Sequence, residues 1–116
     1  MYSYWDPTGI PGDKSKYSFV DWAINEGYSV FYYDRLGTGA SSRVSGYKAQ
    51  RDNQAAILAE LSKLLRAGKY VGTLGKKPES IVFVGHSFGS TISLTAAAND
   101  FSVADGLVLT GMYLVT

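Results

Sequence analysis

Apolar and polar positions alternate along this chain in two rhythms. Between residues 48 and 67, Ile57, Leu58, Leu61, Leu64 and Leu65 recur at helical spacing, while Arg51, Asp52, Glu60, Lys63 and Arg66 lie off that stripe. This predicts an amphipathic helix whose leucine stripe is core, with Gly68 just past its end. A shorter helix is expected over residues 17–25, where Phe19, Val20, Ala23 and Ile24 share a side and Gly27 is placed to close it in a left-handed conformation. Three other segments read as strands. Residues 28–34 (YSVFYYD) are rich in aromatic and β-branched types, residues 81–84 (IVFV) form an unbroken apolar run, and residues 106–111 (GLVLTG) form a third. A third helix is expected over residues 87–99, a stretch of small and aliphatic side chains. Residues 1–16 and 35–46 read as loops, broken by Pro7, Gly9, Pro11 and Gly12 in the first and by repeated Gly and Ser in the second.

The order is therefore helix, strand, helix, strand, helix, strand. Strands separated by helices of this length predict crossover connections, a parallel sheet and the α/β class. At 116 residues, one domain and one core are expected. A net charge of +1 gives no electrostatic reason to expect nucleic acid or an anionic membrane as partner. The absence of Cys excludes disulfides and thiolate chemistry. With a single His and scattered carboxylates, no metal or other cofactor is expected. No apolar stretch approaches the roughly 20 residues of a membrane-spanning helix.

The candidate chemistry lies at one seam. In Gly85-His86-Ser87-Phe88-Gly89 a serine sits between two glycines, with the strand 81–84 running in and a helix leading out. A serine in a tight strand-to-helix turn presents its hydroxyl at the carboxyl end of the strand, and the N–H of Phe88 then opens a helix N-terminus, a place that stabilises an oxyanion. Gly85 and Gly89 are expected to allow the strand and helix backbones to approach. A small residue in a tight turn is the plainer account of Ser87. His86 is not expected to act as its base, because neighbouring side chains in an extended segment point to opposite faces. Asp34 is expected to bond its own loop backbone, with Gly37 and Gly39 permitting turns. Tyr2, Tyr4 and Trp5 either line an acyl pocket or cover the core.

Together these segments resemble the α/β-hydrolase superfamily, in particular esterase- and lipase-like members with a G-H-S-x-G nucleophile elbow. Asp34, Gly37, Gly39 and Ser41 match a D-x-x-G-x-G-x-S pattern common after the family's fourth strand, and residues 106–111 look like its sixth. The resemblance implies a partial three-layer α/β sandwich with a parallel sheet, holding equivalents of strands 4, 5 and 6 and helices A, B and C. It also implies hydrolysis of a small-molecule ester or related acyl substrate, with Ser87 as nucleophile and the Phe88 N–H in the oxyanion hole. The acid and histidine of such a triad follow the serine in chain order. Here the one histidine is His86, and Asp100 and Asp105 are expected at the amino end of the sheet. The 116 residues are thus expected to be one partial domain truncated at both ends, with little turnover of its own.

Two other readings stand beside this one. A non-catalytic module derived from the same fold would bind a ligand or a partner chain that completes its sheet. A nucleotide-binding loop at Gly37-Thr38-Gly39 is disfavoured, since Ser42 replaces the third glycine and no helix opens directly after it.

Overall fold

The computed structural model describes residues 4–7, 11–12, 16–73 and 75–112. Their contacts divide the chain into two compact units, residues 1–45 and 46–116. Tyr2, one of the aromatics singled out above, lies outside the described residues.

In the first unit, helix α1 spans Phe19–Asn25. It starts at Phe19 because Ser18 caps it: the Ser18 hydroxyl accepts the Asp21 N–H at 3.0 Å and donates to Asp6 Oδ1 at 3.1 Å. Val20 and Ala23 are its buried positions. Trp5 packs edge-on against Tyr4 and Phe19, with ring centroids 4.9 and 5.4 Å apart. The helix closes at Gly27, whose φ is +89°, as the sequence predicts.

Residues 28–34 correct one expectation. They join no β-ladder among the described residues. Aromatic and β-branched side chains favour extended backbone, but a strand also needs a partner for its amides and carbonyls, and composition does not supply one. The following loop is as expected. Asp34 Oδ2 accepts the Ala40 N–H at 2.9 Å, and the Ser41 hydroxyl donates to the Asp34 carbonyl.

The second unit is a β-α-β crossover with one further helix. Helix α2 spans Arg51–Arg66, strand β1 spans Val82–His86, helix α3 spans Phe88–Asn99, and strand β2 spans Gly106–Thr110. A single 3-10 turn, Phe101–Val103, precedes β2. The strands are parallel, in register from Val82 opposite Gly106 to His86 opposite Thr110. Strand β1 runs two residues beyond its apolar core because Gly85 and His86 still find partners in Leu109 and Thr110.

The core gathers Ala55 of α2, Phe83 of β1, Ile92 and Ala96 of α3, and Val103, with Leu58, Ala59, Ile81 and Ala104 packed around them. The leucine stripe of α2 is thus only half-buried: Ile57, Leu61, Leu64 and Leu65 are intermediate, while Ala55 and Ser62 are buried. Small side chains bring α2 close to its neighbours, and the Ser62 hydroxyl donates to the Val103 carbonyl across that contact. Two ion pairs tie the end of α2 to the turn before β2, Lys63 to Asp100 at 3.1 Å and Arg66 to Asp105 at 2.7 Å.

Phe83 and Gly85 face the helices, and Val82 and His86 on the opposite face are exposed. Within the 46–116 unit, two of the three expected layers are therefore present, a parallel sheet and the helices over one face. The fold is α/β, consistent with a partial α/β-hydrolase fold. Among the described residues, no helix is long and apolar enough to cross a membrane.

Candidate active site at the serine turn

Among the described residues, Ser18 and Ser87 both occupy helix N-cap positions, and they behave differently. Ser18 takes the usual extended backbone, φ −87° and ψ 108°, and its hydroxyl caps α1. Ser87 has φ +53° and ψ −119°, and its hydroxyl makes no capping bond to α3. A left-handed φ at a non-glycine residue costs on the order of 1–3 kcal/mol and persists only where surrounding contacts over-determine it.

Those contacts can be named. The Ser87 N–H donates to the carbonyl of Thr110, 2.9 Å away on β2. The Ser87 carbonyl accepts the Ser90 N–H at 3.0 Å, which starts the helix. Ser90 is fully buried, and its hydroxyl both donates to the Thr110 carbonyl at 2.8 Å and accepts the Thr110 N–H at 3.1 Å. The end of β2 is thereby bonded into the first turn of α3.

Gly85 makes the turn sterically possible. A Cβ there would fall 2.6–2.7 Å from Gly89 O, Gly89 C and Ser90 Cα. The strand passes directly beneath the helix, and only glycine fits. Phe88 is the first residue of α3, so its backbone N–H belongs to the helix N-terminus, the positive end of the helix dipole. Gly85, Ser87, Phe88 and Gly89 are thus brought into one turn.

His86 is held elsewhere. Its Nδ1 lies 3.0 Å from Thr110 Oγ1, and its ring packs over Gly111, where an added Cβ would come within 2.7 Å of Cε1. Asp105 sits at the other end of the sheet: its N–H donates to the Ile81 carbonyl and its carboxylate accepts the Ile81 N–H, both at 2.7 Å. Six residues of near-extended chain separate Ile81 from Ser87, about 20 Å. The Ile81 amide and then Arg66 hold the Asp105 carboxyl below its ordinary range. Asp100 is pushed down to about 2 by the Ser102 hydroxyl and N–H, then by Lys63. Both carboxylates are occupied with structure at the amino end. Among the described residues, no group of three or more His, Cys, Asp or Glu side chains could hold a metal ion.

Ser90 and Thr110 carry little mark of this role in the sequence. The available signals were slight, a hydroxyl on a helix otherwise small and aliphatic, and a threonine closing an aliphatic strand.

The sequence matches the family model of the alpha/beta hydrolase fold over residues 7–113. No curated protein and no solved structure matches the chain. The chain belongs to the α/β-hydrolase family.

Proposed function

We propose that this α/β-hydrolase family member is a serine hydrolase, acting on a carboxylic ester or related small acyl substrate through Ser87. The observation that carries this reading is the left-handed Ser87 at the strand-to-helix junction, its hydroxyl diverted from the capping that Ser18 performs. Strain of this kind, kept up by a buried hydrogen-bonded frame, is characteristic of a side chain positioned for chemistry.

In the reaction, Ser87 Oγ attacks the acyl carbonyl carbon while a base takes its proton. The carbonyl π electrons move onto oxygen, where the Phe88 N–H stabilises the charge. Collapse expels the alcohol, which receives the proton, and leaves an acyl-serine ester. Water then repeats the sequence, releasing the acid and restoring Ser87. No cofactor enters these steps.

His86 is poorly suited as the base, since its ring is laid against the end of β2, with Nδ1 at Thr110 Oγ1 and the ring over Gly111. Acid, base and a second oxyanion donor come in this reading from residues outside these 116, in the same polypeptide or another chain. The isolated stretch should then turn over little substrate.

The alternative, a non-catalytic module completed by another chain, draws support from the sheet. Within the 46–116 unit β1 and β2 form a two-stranded sheet, and Val82 and Val108 are 53% and 48% exposed.

The deciding experiment treats the native protein from its source with a fluorophosphonate and maps the adduct by peptide mass. The expected result is modification at Ser87, abolished by Ser87→Ala. An unmodified Ser87, beside a reference serine hydrolase fully labelled in the same reaction, would overturn the assignment.

A further inference from the structure

Each polar group of Thr110 is bound to a residue of the serine turn. Its carbonyl accepts the Ser87 N–H at 2.9 Å and the Ser90 hydroxyl at 2.8 Å. Its N–H donates to Ser90 Oγ at 3.1 Å, and its hydroxyl donates to the Gly85 carbonyl at 3.1 Å. The same hydroxyl lies 3.0 Å from His86 Nδ1. A threonine hydroxyl has one proton and two lone pairs. With that proton given to Gly85, the contact with His86 requires Nδ1 to carry the hydrogen.

We infer that Thr110 is the positioning residue of the serine turn: it holds Ser87 in its left-handed conformation and fixes His86 as the Nδ1–H tautomer. The inference rests on the reading of Ser87 as nucleophile for its functional meaning, although the coupling can be observed without it. The turn itself is local, but its strain is not locally compensated. Ser87 gives up a favourable backbone well, and the bonds that offset this come from a strand 23 positions later in the sequence. The side-chain bonds of Thr110 clamp Gly85 and His86, the residues leading into Ser87, while its backbone clamps Ser87 and Ser90. Gly111, with φ +58°, leaves room for the imidazole. A second consequence concerns proton transfer. The Nδ1 proton committed to Thr110 removes that nitrogen as a base for Ser87 and leaves the basic lone pair of the ring on Nε2.

The test uses the whole chain, labelled with 15N, at about pH 8, above the ordinary imidazole range. Long-range proton–nitrogen correlations read the His86 tautomer, and amide exchange reads the Ser87 N–H. Wild type and Thr110→Ser should both show Nδ1–H. Thr110→Val, nearly isosteric and still β-branched, should shift His86 toward the Nε2–H form that a free histidine side chain prefers in water. The same variant should speed Ser87 amide exchange about tenfold, through loss of two hydrogen bonds, with α2 amides unchanged. A general loss of stability would move all amides together and would not move the tautomer. Nε2–H in the wild type overturns the inference, as does a Thr110→Val protein with unchanged tautomer and exchange. Should Thr110→Val fail to fold, the wild-type and Thr110→Ser tautomers still decide. The expected tautomer pattern together with a Ser87 that resists fluorophosphonate would support the clamp and overturn the nucleophile reading alone.

Discussion

A Cβ on Gly85 would lie 2.6 Å from the carbonyl oxygen of Gly89, whereas a Cβ on Gly89 would meet nothing within 4 Å. The two glycines of the G-x-S-x-G motif are therefore not equivalent. Gly85 must lack a side chain because helix backbone lies directly over it. Gly89 contributes its backbone to that contact while its own α-hydrogen points into open space.

This asymmetry predicts opposite outcomes for the same substitution. Gly85→Ala should destabilise the fold by about 1–3 kcal/mol, the usual cost of overpacking a fitted site. Gly89→Ala, on the second residue of α3, should be neutral or stabilising by up to about 1 kcal/mol, because alanine loses less backbone entropy in a helix. Urea denaturation midpoints of the two variants check both signs. Equal destabilisation would mean that the helix does not lie over the strand in this way.

Ser90→Ala tests the buried frame. Its hydroxyl satisfies both backbone groups of Thr110, and Ser90 itself is fully buried. Its removal leaves the part-buried Thr110 N–H without this partner and should cost about 1 kcal/mol. Exchange at the Thr110 amide should rise more than exchange in the middle of α2, by mass-resolved hydrogen exchange.

Gly39→Ala tests the loop of the first unit. Gly39 has φ +52°, and its Cβ would land 2.1 Å from the Asp34 carboxylate. The carboxylate must then move off the Ala40 amide. The protection of that amide should fall by about tenfold, the loss of one charge-assisted hydrogen bond. An Ala40 amide no less protected in the variant would show that the Asp34 contact does not hold the loop.

The two aspartates at the amino end set an acid limit. The folded pKa of Asp100 is about 2, below the ordinary value of 3.8, and that of Asp105 is also lowered. The unfolded chain therefore takes up these protons first as pH falls. Their stabilisation is complete above the ordinary carboxylate range and is lost as pH drops from about 4 through about 2. Thermal melts should be insensitive to these groups between pH 5 and 7, on the order of a unit above that range. Asp100→Asn should flatten the decline below it. A variant as acid-sensitive as the wild type would remove Asp100 from this account.

Features set by a few consecutive residues were legible in the sequence. The apolar run 81–84, the glycine-flanked serine and the helix after it could be read in order, because a buried strand and a strained turn each demand particular residue types locally. Gly27 and Gly68 marked helix ends for the same reason, since left-handed backbone selects glycine. The loop role of Asp34 followed from an aspartate's short reach to nearby amides.

Other features depended on contacts between distant positions. Periodicity placed α2 but misjudged its deepest residues: the leucines form the wide stripe, while the close approach of α2 to α3 is decided by Ala55 and its small neighbours. Residues 28–34 had the composition of a strand, yet pairing needs a partner's amides and carbonyls, which no property of the segment itself can provide. The clamp of Thr110 on Ser87 joins residues far apart in sequence, and neither carries a local mark of the other. The sequence alone determined where a glycine-flanked serine would sit between strand and helix and why glycine must precede it. Only the tertiary structure decided what holds that serine in a conformation it would otherwise leave, because the bonds that offset its strain come from a neighbouring strand.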